Sequence, residues 1–427
     1  MDHREAPFPS SDPLGLSSDE AFLTLVSDFL EKALTPDLRA AGRRTLGVHS
    51  EIEACRVWHA RLFARGWIAP AWPKAWGGTG WTARQRFLFD RQCALSDSPV
   101  LFAGGLRSLG PLLIEQGTDA QRARYLAAIL SGEDLWCQGF SEPGAGSDLA
   151  AVSCRAVRRG EVYRVTGTKI WTTGAHLANR MFGIFRTSYG PRRQQGLTFL
   201  LIDMNSPGLT VSPILDLAGQ HEFNQVFFDD VVVPVDNRVG AEDDGWAMAK
   251  RLMQLARANN TPAALVRRAL RHATEALAGQ HVDPALRTRL ASLAIELDTF
   301  EQLELAALPS PRPGPRDQIT PSMLKLIGTQ LHQRVAELAV EIAGIPAAAA
   351  ISTLDLAPGS AGVTALEAGA FAMARHLSLR AATIYSGSSE MQRDLIARHL
   401  LAGPLQLTRP GLGAPLASPA SVVTKQC

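Results

Sequence analysis

The densest group of residues that could do chemistry lies at positions 138–148, with the sequence Gln-Gly-Phe-Ser-Glu-Pro-Gly-Ala-Gly-Ser-Asp. Its glycines, Gly146 among them, let backbone N–H groups approach a charged ligand, and Ser141 and Ser147 add hydroxyl donors. The spacing fits neither the Walker A pattern nor the dinucleotide-binding pattern. The segment predicts an anion-binding loop, and a plain glycine-rich turn at the entry to a β-domain is an equal alternative.

A second group lies at positions 167–174, with the sequence Gly-Thr-Lys-Ile-Trp-Thr-Thr-Gly. Trp171 is expected in a strand, followed at once by the hydroxyls of Thr172 and Thr173. An indole face can pack against a flat ring such as an isoalloxazine, while hydroxyls and backbone amides bond the polar edge of that ring. The segment favours a site for a planar cofactor, and an ordinary core tryptophan is the alternative.

A third group lies at positions 383–393, with the sequence Thr-Ile-Tyr-Ser-Gly-Ser-Ser-Glu-Met-Gln-Arg. It predicts a helix, a turn of small residues, and a second helix that starts near Ser388 or Ser389. The free N–H groups at such a helix start suit a phosphate or a carbonyl oxygen. The same residues would also cap the helix in the ordinary way.

The elements that position these groups follow from the apolar pattern of the 427-residue chain, which is long enough for more than one core. Helical spacing dominates first, then short β-rich runs at 163–166, 181–185, 197–202 and 225–228, then helical spacing again. One apolar stripe from Leu324 to Ile342 predicts a single long helix, and prolines at 309–316 predict a stiff loop. The predicted domains are a helical domain at 17–134, a compact antiparallel β-domain at 135–240 and a helical bundle at 241–405, between flexible termini at 1–16 and 406–427.

Charge and cysteine usage narrow the class of protein. The 43 basic and 41 acidic residues nearly cancel and are interspersed, which argues against nucleic acid or an anionic membrane as a partner. The five cysteines are scattered without metal-site spacing, so we expect no metal and a reducing compartment. Residues 1–16 lack the pattern of a signal peptide, and no apolar stretch is long enough for a bilayer. These features predict a cytoplasmic location.

Together the three groups resemble the acyl-CoA dehydrogenase family, over residues 20–405. The family motifs Ser/Thr-Glu-Pro-x-x-Gly-Ser-Asp, Lys-x-Trp-x-Thr and Gly-Thr/Ser-Ser-Glu-x-Gln-Arg match residues 141–148, 169–173 and 387–393, with supporting matches at 72–80, 221–231 and 244–246. Within the family, the pattern is most similar to the branch that contains the large subunit of pimeloyl-CoA dehydrogenase and related enzymes for dicarboxylic, branched or steroid side-chain acyl-CoAs.

The resemblance implies an N-terminal α-helical domain, a middle antiparallel β-barrel and a C-terminal four-helix bundle, assembled as a dimer or tetramer. It implies FAD as cofactor, an acyl-CoA or carrier-bound acyl thioester as substrate, α,β-desaturation as reaction, and an electron-transfer flavoprotein as acceptor. The residues that it assigns to cofactor binding are Phe140, Ser141, Gly146, Ser147, Trp171, Thr172, Thr173, Gly387, Ser388 and Glu390.

One expected residue is missing. In this family a glutamate removes the α-proton of the thioester, and it stands in one of two places, which here are Ser386 and Ala256. Alanine has no proton acceptor, and a serine hydroxyl is too weak a base unless another group deprotonates it. The backbone N–H of residue 386 could still polarise the thioester carbonyl. The catalytic base is therefore unassigned.

Two other interpretations stay open because of this loss. One is a non-oxidative elimination or decarboxylation of an acyl thioester, and the other is a partner subunit of a heteromeric acyl-CoA dehydrogenase. The adenine contacts also differ, since residues 281–290 lack the family's Arg-x-x-Phe-Gly segment and Glu341 replaces a usual glutamine. We expect Glu390 to be a cap or cofactor contact rather than the base, and His176 and His221 to be structural.

Overall fold

The computed structural model describes residues 18–256, 261–277, 282–308, 319–345, 347 and 365–401. The expectations for the termini at 1–16 and 406–427 and for the proline-rich loop at 309–316 lie outside these residues. Helices and strands occur in the predicted order of helical, β and helical regions.

The first region is helical, as predicted. Its helices are α1 (Asp19–Ala33), α2 (Pro36–Arg44), α3 (Ile52–Ala64), α4 (Ala83–Leu95), α5 (Gly110–Gln116) and α6 (Asp119–Ser131), and a π-helical turn at Gly104–Leu109 leads into α5. Thr82 and Thr118 start α4 and α6 with reciprocal capping boxes to Gln85 and Gln121. The apolar faces of the helices in this region pack into one aromatic-rich core.

The middle region is one eight-stranded sheet. Its strands are β1 (Trp136–Gly139), β2 (Arg155–Arg159), β3 (Val162–Lys169), β4 (Arg180–Arg186), β5 (Leu197–Asp203), β6 (Leu209–Leu215), β7 (His221–Pro234) and β8 (Arg238–Val239). The strand order is β6-β7-β3-β2-β4-β5-β8, with β1 paired to β4. The four predicted β-rich runs are confirmed within β3, β4, β5 and β7. Most pairings are antiparallel, whereas β4 meets β1 and the start of β2 in parallel.

The last region is again helical, as predicted. Its helices are α7 (Gly245–Ala256), α8 (Ala263–Glu275), α9 (Pro284–Ala306), α10 (Thr320–Ala343), α11 (Ala365–Ser378) and α12 (Ser389–Leu401), with a 3-10 turn at Leu379–Thr383 before the last. Helix α10 is the predicted long helix, and it contacts α8, α9, α11 and α12. Its stripe is buried at Leu331, Val335 and Leu338. None of the helices in the described ranges is long and apolar enough to cross a bilayer.

Asp97 forms ion pairs that link the first region to helix α8. Its carboxylate oxygens lie 2.6 Å from Arg271, 2.8 Å from His272 and 2.8 Å from Arg43. Burial works to raise its pKa, but the hydrogen bonds and charges of His272 and Arg271 outweigh burial and lower the pKa of Asp97 from 3.8 to about 2. The carboxylate therefore stabilises the fold in its ionised form.

We expect Asp97→Asn to lower the free energy of unfolding by about 2 kcal/mol at neutral pH. Because the folded pKa is depressed, this contribution is present above the unfolded value and is lost as the pH falls towards 2. Asparagine tolerates the left-handed φ of 57° at this position, so the substitution tests charge rather than backbone strain. Urea unfolding of both proteins should show a gap that narrows between about pH 5 and about pH 3. A gap independent of pH would contradict this account.

Candidate functional site

A buried ion pair fixes the loop at 138–148 against the sheet. Lys169, the last residue of β3, is fully buried, and its Nζ lies 2.7 Å from Oε1 of Glu142. The same ammonium donates to the carbonyls of Phe140 at 3.2 Å and Ile184 at 2.7 Å. All three contacts of Lys169 are therefore acceptors, and two of them belong to the loop.

The Glu142 carboxylate is equally well satisfied. It accepts from the backbone N–H groups of Ser153 at 2.6 Å and Cys154 at 3.0 Å. The N–H of Ile170 donates to the carbonyl of Ser141 at 2.9 Å, so the loop and the segment at 167–174 lie side by side. Buried charges persist when paired and hydrogen-bonded in this way. The sequence analysis missed the pair, although a lysine and a glutamate inside two buried motifs were its signal.

The loop residues predicted to bind a cofactor differ in exposure. Gly146 and Ser147 are exposed and Ser141 is half-buried, and a Cβ added at Gly146 would meet open space. Phe140 is 5 % exposed, and its ring packs edge-on against Phe182 with centroids 6.2 Å apart. Its side chain belongs to the core, and its carbonyl accepts from Lys169.

Trp171 does not lie in a strand, contrary to expectation. The ladder of β3 with β7 ends where Lys169 pairs with Val226, and contact resumes where the N–H of Thr172 donates to the carbonyl of Asn224 at 3.0 Å. Ile170 and Trp171 on one side oppose Gln225 alone on the other, which is the count of a β-bulge. The extra residue turns Trp171 into the left-handed region with φ of 58°.

The bulge orients the indole of Trp171 towards the protein surface. The Trp171 side chain is 57 % exposed and rests edge-on against Phe223. A left-handed backbone at a bulky residue costs on the order of 1 kcal/mol or more. Beside it, the Thr172 hydroxyl is completely buried without a hydrogen-bond partner among the described residues, and Thr173 is half-buried. The strained, exposed indole is a surface on which a flat cofactor ring can stack, whereas the Thr172 hydroxyl lies inside the fold.

The turn before α12 has a left-handed backbone at two successive residues. Ser386 has φ of 55° and Gly387 has φ of 87°. Ser388 caps the helix, since its Oγ accepts from the N–H of Met391 at 3.3 Å, and the predicted helix start is confirmed. Gln392 donates to the carbonyl of Gly387 at 3.1 Å. These contacts leave Ser386 exposed at the outside of the turn.

Glu390 faces solvent in the first turn of α12. Hydrogen bonds from its own backbone N–H and from Ser388 lower its pKa, as expected for a capping carboxylate. Lys325 lies near enough to feel its charge, although burial dominates and lowers the pKa of Lys325 to about 8. The arrangement supports the cap interpretation of Glu390.

The other singled-out positions acquire neighbours that the sequence did not reveal. His176 and His221 stack with ring centroids 3.7 Å apart, and Asn224 hydrogen-bonds both rings. Glu341 pairs with Arg289 of α9, so the residue that replaces the usual glutamine ties two helices together. Ala256 is the last residue of α7.

A buried glutamate that the sequence analysis did not single out connects the two halves of the site. The carbonyl of Glu222 accepts from the N–H of Gly174 at 2.9 Å. On its other side, the charge of Glu222 adds to burial in raising the pKa of Tyr385 to about 12. Glu222 is therefore paired through its backbone with the segment at 167–174 and acts electrostatically on Tyr385, just before the C-terminal turn.

Comparison with known proteins defines the class. The acyl-CoA dehydrogenase N-terminal, middle and C-terminal domains match residues 17–133, 137–231 and 243–401. The chain belongs to the acyl-CoA dehydrogenase family, and it is a flavoenzyme of that type. The predicted family and fold are confirmed.

Individual relatives agree with this assignment. Acyl-CoA dehydrogenase IpdE1 of Mycobacterium tuberculosis is 36 % identical over 83 % of this chain and 90 % of its own length. Acyl-CoA dehydrogenase FadE26 of the same organism is 31 % identical over 87 % of this chain and 93 % of its own. Among solved structures, the Tcur3481-Tcur3483 steroid ACAD superposes with a TM-score of 0.76 at 26 % identity, covering 91 % of this chain and 98 % of that one. The ChsE4-ChsE5 complex of M. tuberculosis gives 0.75 at 26 %, covering 90 % and 97 %.

Proposed function

We propose that this chain binds FAD and catalyses α,β-desaturation of an acyl thioester, with acyl-CoA as the substrate class. The observation that supports this most is the strained, outward-facing Trp171, with the half-buried Thr173 two residues further on. The strain and exposure of Trp171 do not stabilise the fold. They are accounted for by a flat, polar ring that stacks on the indole and hydrogen-bonds groups beside it.

The described residues fit the cofactor. Trp171, Thr172 and Thr173 would hold the flavin ring, and the exposed backbone around Gly146 and Ser147 would take the phosphates. Ser141 and the backbone of Phe140 would border the ring, and Gly387, Ser388 and Glu390 would border the cofactor or the thioester from the C-terminal turn. When bound, FAD supplies an acceptor for the hydride that leaves the β-carbon.

The chain's own contribution is to bind the thioester and to make its α-proton acidic. The exposed turn at Ser386 and Gly387 offers backbone N–H groups to the thioester oxygen, where negative charge develops as the α-proton leaves. The proton itself needs a base near neutral pH. Neither Ser386 nor Ala256 can be that base.

A second candidate function is that of one subunit in a heteromeric acyl-CoA dehydrogenase. It is favoured by Ser386 in place of the usual glutamate and by the two-chain character of similar structures, a Tcur3481-Tcur3483 steroid ACAD and a ChsE4-ChsE5 complex. In either case we expect a dimer or tetramer. An electron-transfer flavoprotein would reoxidise the flavin.

We expect Trp171→Ala to weaken FAD binding about tenfold, because lost ring packing is worth about 1–1.5 kcal/mol. FAD titration of the apoprotein, followed by flavin fluorescence, measures this. Tyr189→Ala is the matched control, since Tyr189 is a 77 % exposed aromatic of the same region that stacks on Arg186. Equal FAD affinities for the wild type, Trp171→Ala and Tyr189→Ala would show that Trp171 does not contact the cofactor.

The activity is tested with saturated acyl-CoAs of linear, branched, dicarboxylic and steroid side-chain type, an artificial electron acceptor and mass spectrometry. The proposed function predicts a product two hydrogens lighter than at least one substrate. Turnover without an oxidised product would point to elimination or decarboxylation. Turnover only after addition of a second family member would favour the subunit role.

A further inference from the structure

We propose that Glu222, with His49 as its proton-accepting neighbour, is the base that removes the α-proton in the desaturation proposed above. This inference rests on that proposed function. It assigns the step for which Ser386 and Ala256 have no suitable group.

Glu222 lies in the β-domain, contacts the first region of the chain and acts electrostatically on the third. It belongs to β7, its carboxylate faces the 47–49 turn between α2 and α3, and its charge reaches Tyr385 next to the C-terminal turn. Its own carbonyl bonds Gly174, directly after Thr173. A base for the α-carbon has to stand between the residues that would hold the flavin ring and those that would hold the thioester oxygen. Glu222 pairs through its backbone with Gly174, next to the first group, and its charge acts on Tyr385, one residue before the turn of the second group.

The carboxylate of Glu222 is buried but poorly satisfied. Its side chain is 11 % exposed, and its closest partners are the N–H of Val48 at 3.4 Å and Nε2 of His49 at 4.0 Å. Position 47 is glycine, and a Cβ there would stand 2.5 Å from Oε2 of Glu222. Glu142, by contrast, has an ammonium and backbone N–H groups at hydrogen-bond distance. A buried carboxylate with weak partners costs stability, which suggests that Glu222 serves the reaction.

His49 is arranged to accept a proton from Glu222. Its Nδ1 lies 2.7 Å from the carbonyl of Ser50, which can only accept, so Nδ1 bears the hydrogen. In the neutral ring, Nε2 is then a free acceptor. This atom is completely buried, has no hydrogen-bond partner among the described residues, and faces Oε1 of Glu222. Nε2 of His49 can thus accept the proton that Glu222 takes up.

The proposed step balances within the chain and the substrate. The Cα–H bond of the thioester breaks, an O–H bond forms on Glu222, and the electron pair stays on the substrate as the thioester enolate. Among the described residues, His49, Asp216 and Tyr385 are the ionisable groups whose electrostatic interaction with Glu222 shifts a pKa. Burial raises the pKa of Glu222, the Asp216 charge adds to this rise, and His49 opposes it only in its protonated form. A raised pKa makes the carboxylate a stronger base, and the rate should rise with pH as this group ionises.

The test is exchange of the α-hydrogen for deuterium, followed by NMR in D₂O with the FAD-loaded protein and an acyl-CoA that reduces its flavin. We expect Glu222→Gln to slow both exchange and flavin reduction by about 100-fold or more, with unchanged acyl-CoA affinity. Glu222→Asp keeps the charge, so it should retain part of the rate if Glu222→Gln folds poorly. Glu304→Gln is the matched control, because burial also raises the pKa of Glu304, to about 7, at a position inside the helical bundle.

Each outcome decides. Loss of exchange in Glu222→Gln alone, together with loss of the rise in rate with pH, supports the proposal. Exchange at the wild-type rate in Glu222→Gln overturns it and leaves the proposed desaturation standing. A wild-type protein that binds FAD but neither exchanges the α-hydrogen nor reduces its flavin with any acyl-CoA overturns both.

Discussion

Lys169→Met is expected to lower the free energy of unfolding by about 3–5 kcal/mol and to abolish FAD retention. The substitution keeps the apolar length of the side chain but leaves the Glu142 carboxylate buried without its cation, and an uncompensated buried charge costs this much. It also removes the bonds to Phe140 and Ile184 that hold the loop at 138–148. Urea unfolding and the FAD content of the purified protein measure the two effects.

Two further variants test whether the loss of stability in Lys169→Met comes from the burial of the ion pair and from the charge of Glu142. Arg193→Met breaks the Arg193–Asp148 pair of the same loop, whose side chains are 73 % and 58 % exposed, and should cost less than about 1 kcal/mol. Lys169→Met combined with Glu142→Gln should recover part of the lost stability, because the carboxamide oxygen can still accept from Ser153 and Cys154. If Lys169→Met and the double variant are equally unstable, Lys169 does not stabilise the fold by compensating the charge of Glu142.

Ser386→Glu is expected to restore flavin reduction to Glu222→Gln, by about 100-fold or more over that variant alone. Residue 386 is exposed at the outside of the turn, so a longer side chain extends away from the core without a clash. The new carboxylate would take over the α-proton from the C-terminal turn. Stopped-flow absorbance of the flavin band with a reactive acyl-CoA measures the gain.

Ser386→Gln in the same background is the control, since it has the shape of glutamate and no basic oxygen. It should leave Glu222→Gln inactive. If Ser386→Gln increased the rate of flavin reduction as much as Ser386→Glu, the gain would come from a change in the turn and not from a new carboxylate base. No gain with Glu, in a protein that still binds FAD and acyl-CoA, would show that the thioester does not lie between residues 386 and 222.

Patterns that are local in sequence predicted most of the fold. The apolar stripe of α10, the β-rich runs and the serine cap of α12 each depend on residues a few positions apart, and each is confirmed. The bulge at Trp171 was not foreseen, because it arises from pairing with Asn224 more than fifty positions away. Local propensity favours a strand for this tryptophan, and the pairing overrides that propensity.

The site was predicted in part for the same reason. Short motifs singled out Ser141, Trp171 and Gly387, whose contacts with a cofactor stay predictions, and the structure shows that the ring of Phe140 lies in the core. The residues that the sequence analysis missed act across long separations. Glu222 meets His49 from a distant part of the chain, and Asp97 meets His272. No spacing rule in a single sequence links such pairs, since only the packing of the three regions brings them together.

The most direct test of the central claim is a single anaerobic turnover of the FAD-loaded protein with each acyl-CoA of the panel, in which flavin absorbance and product mass are recorded together. The account predicts that at least one acyl-CoA bleaches the flavin and yields one enoyl-CoA for each flavin reduced. Flavin that stays oxidised with every acyl-CoA, in a protein that binds them, would contradict desaturation by this chain alone.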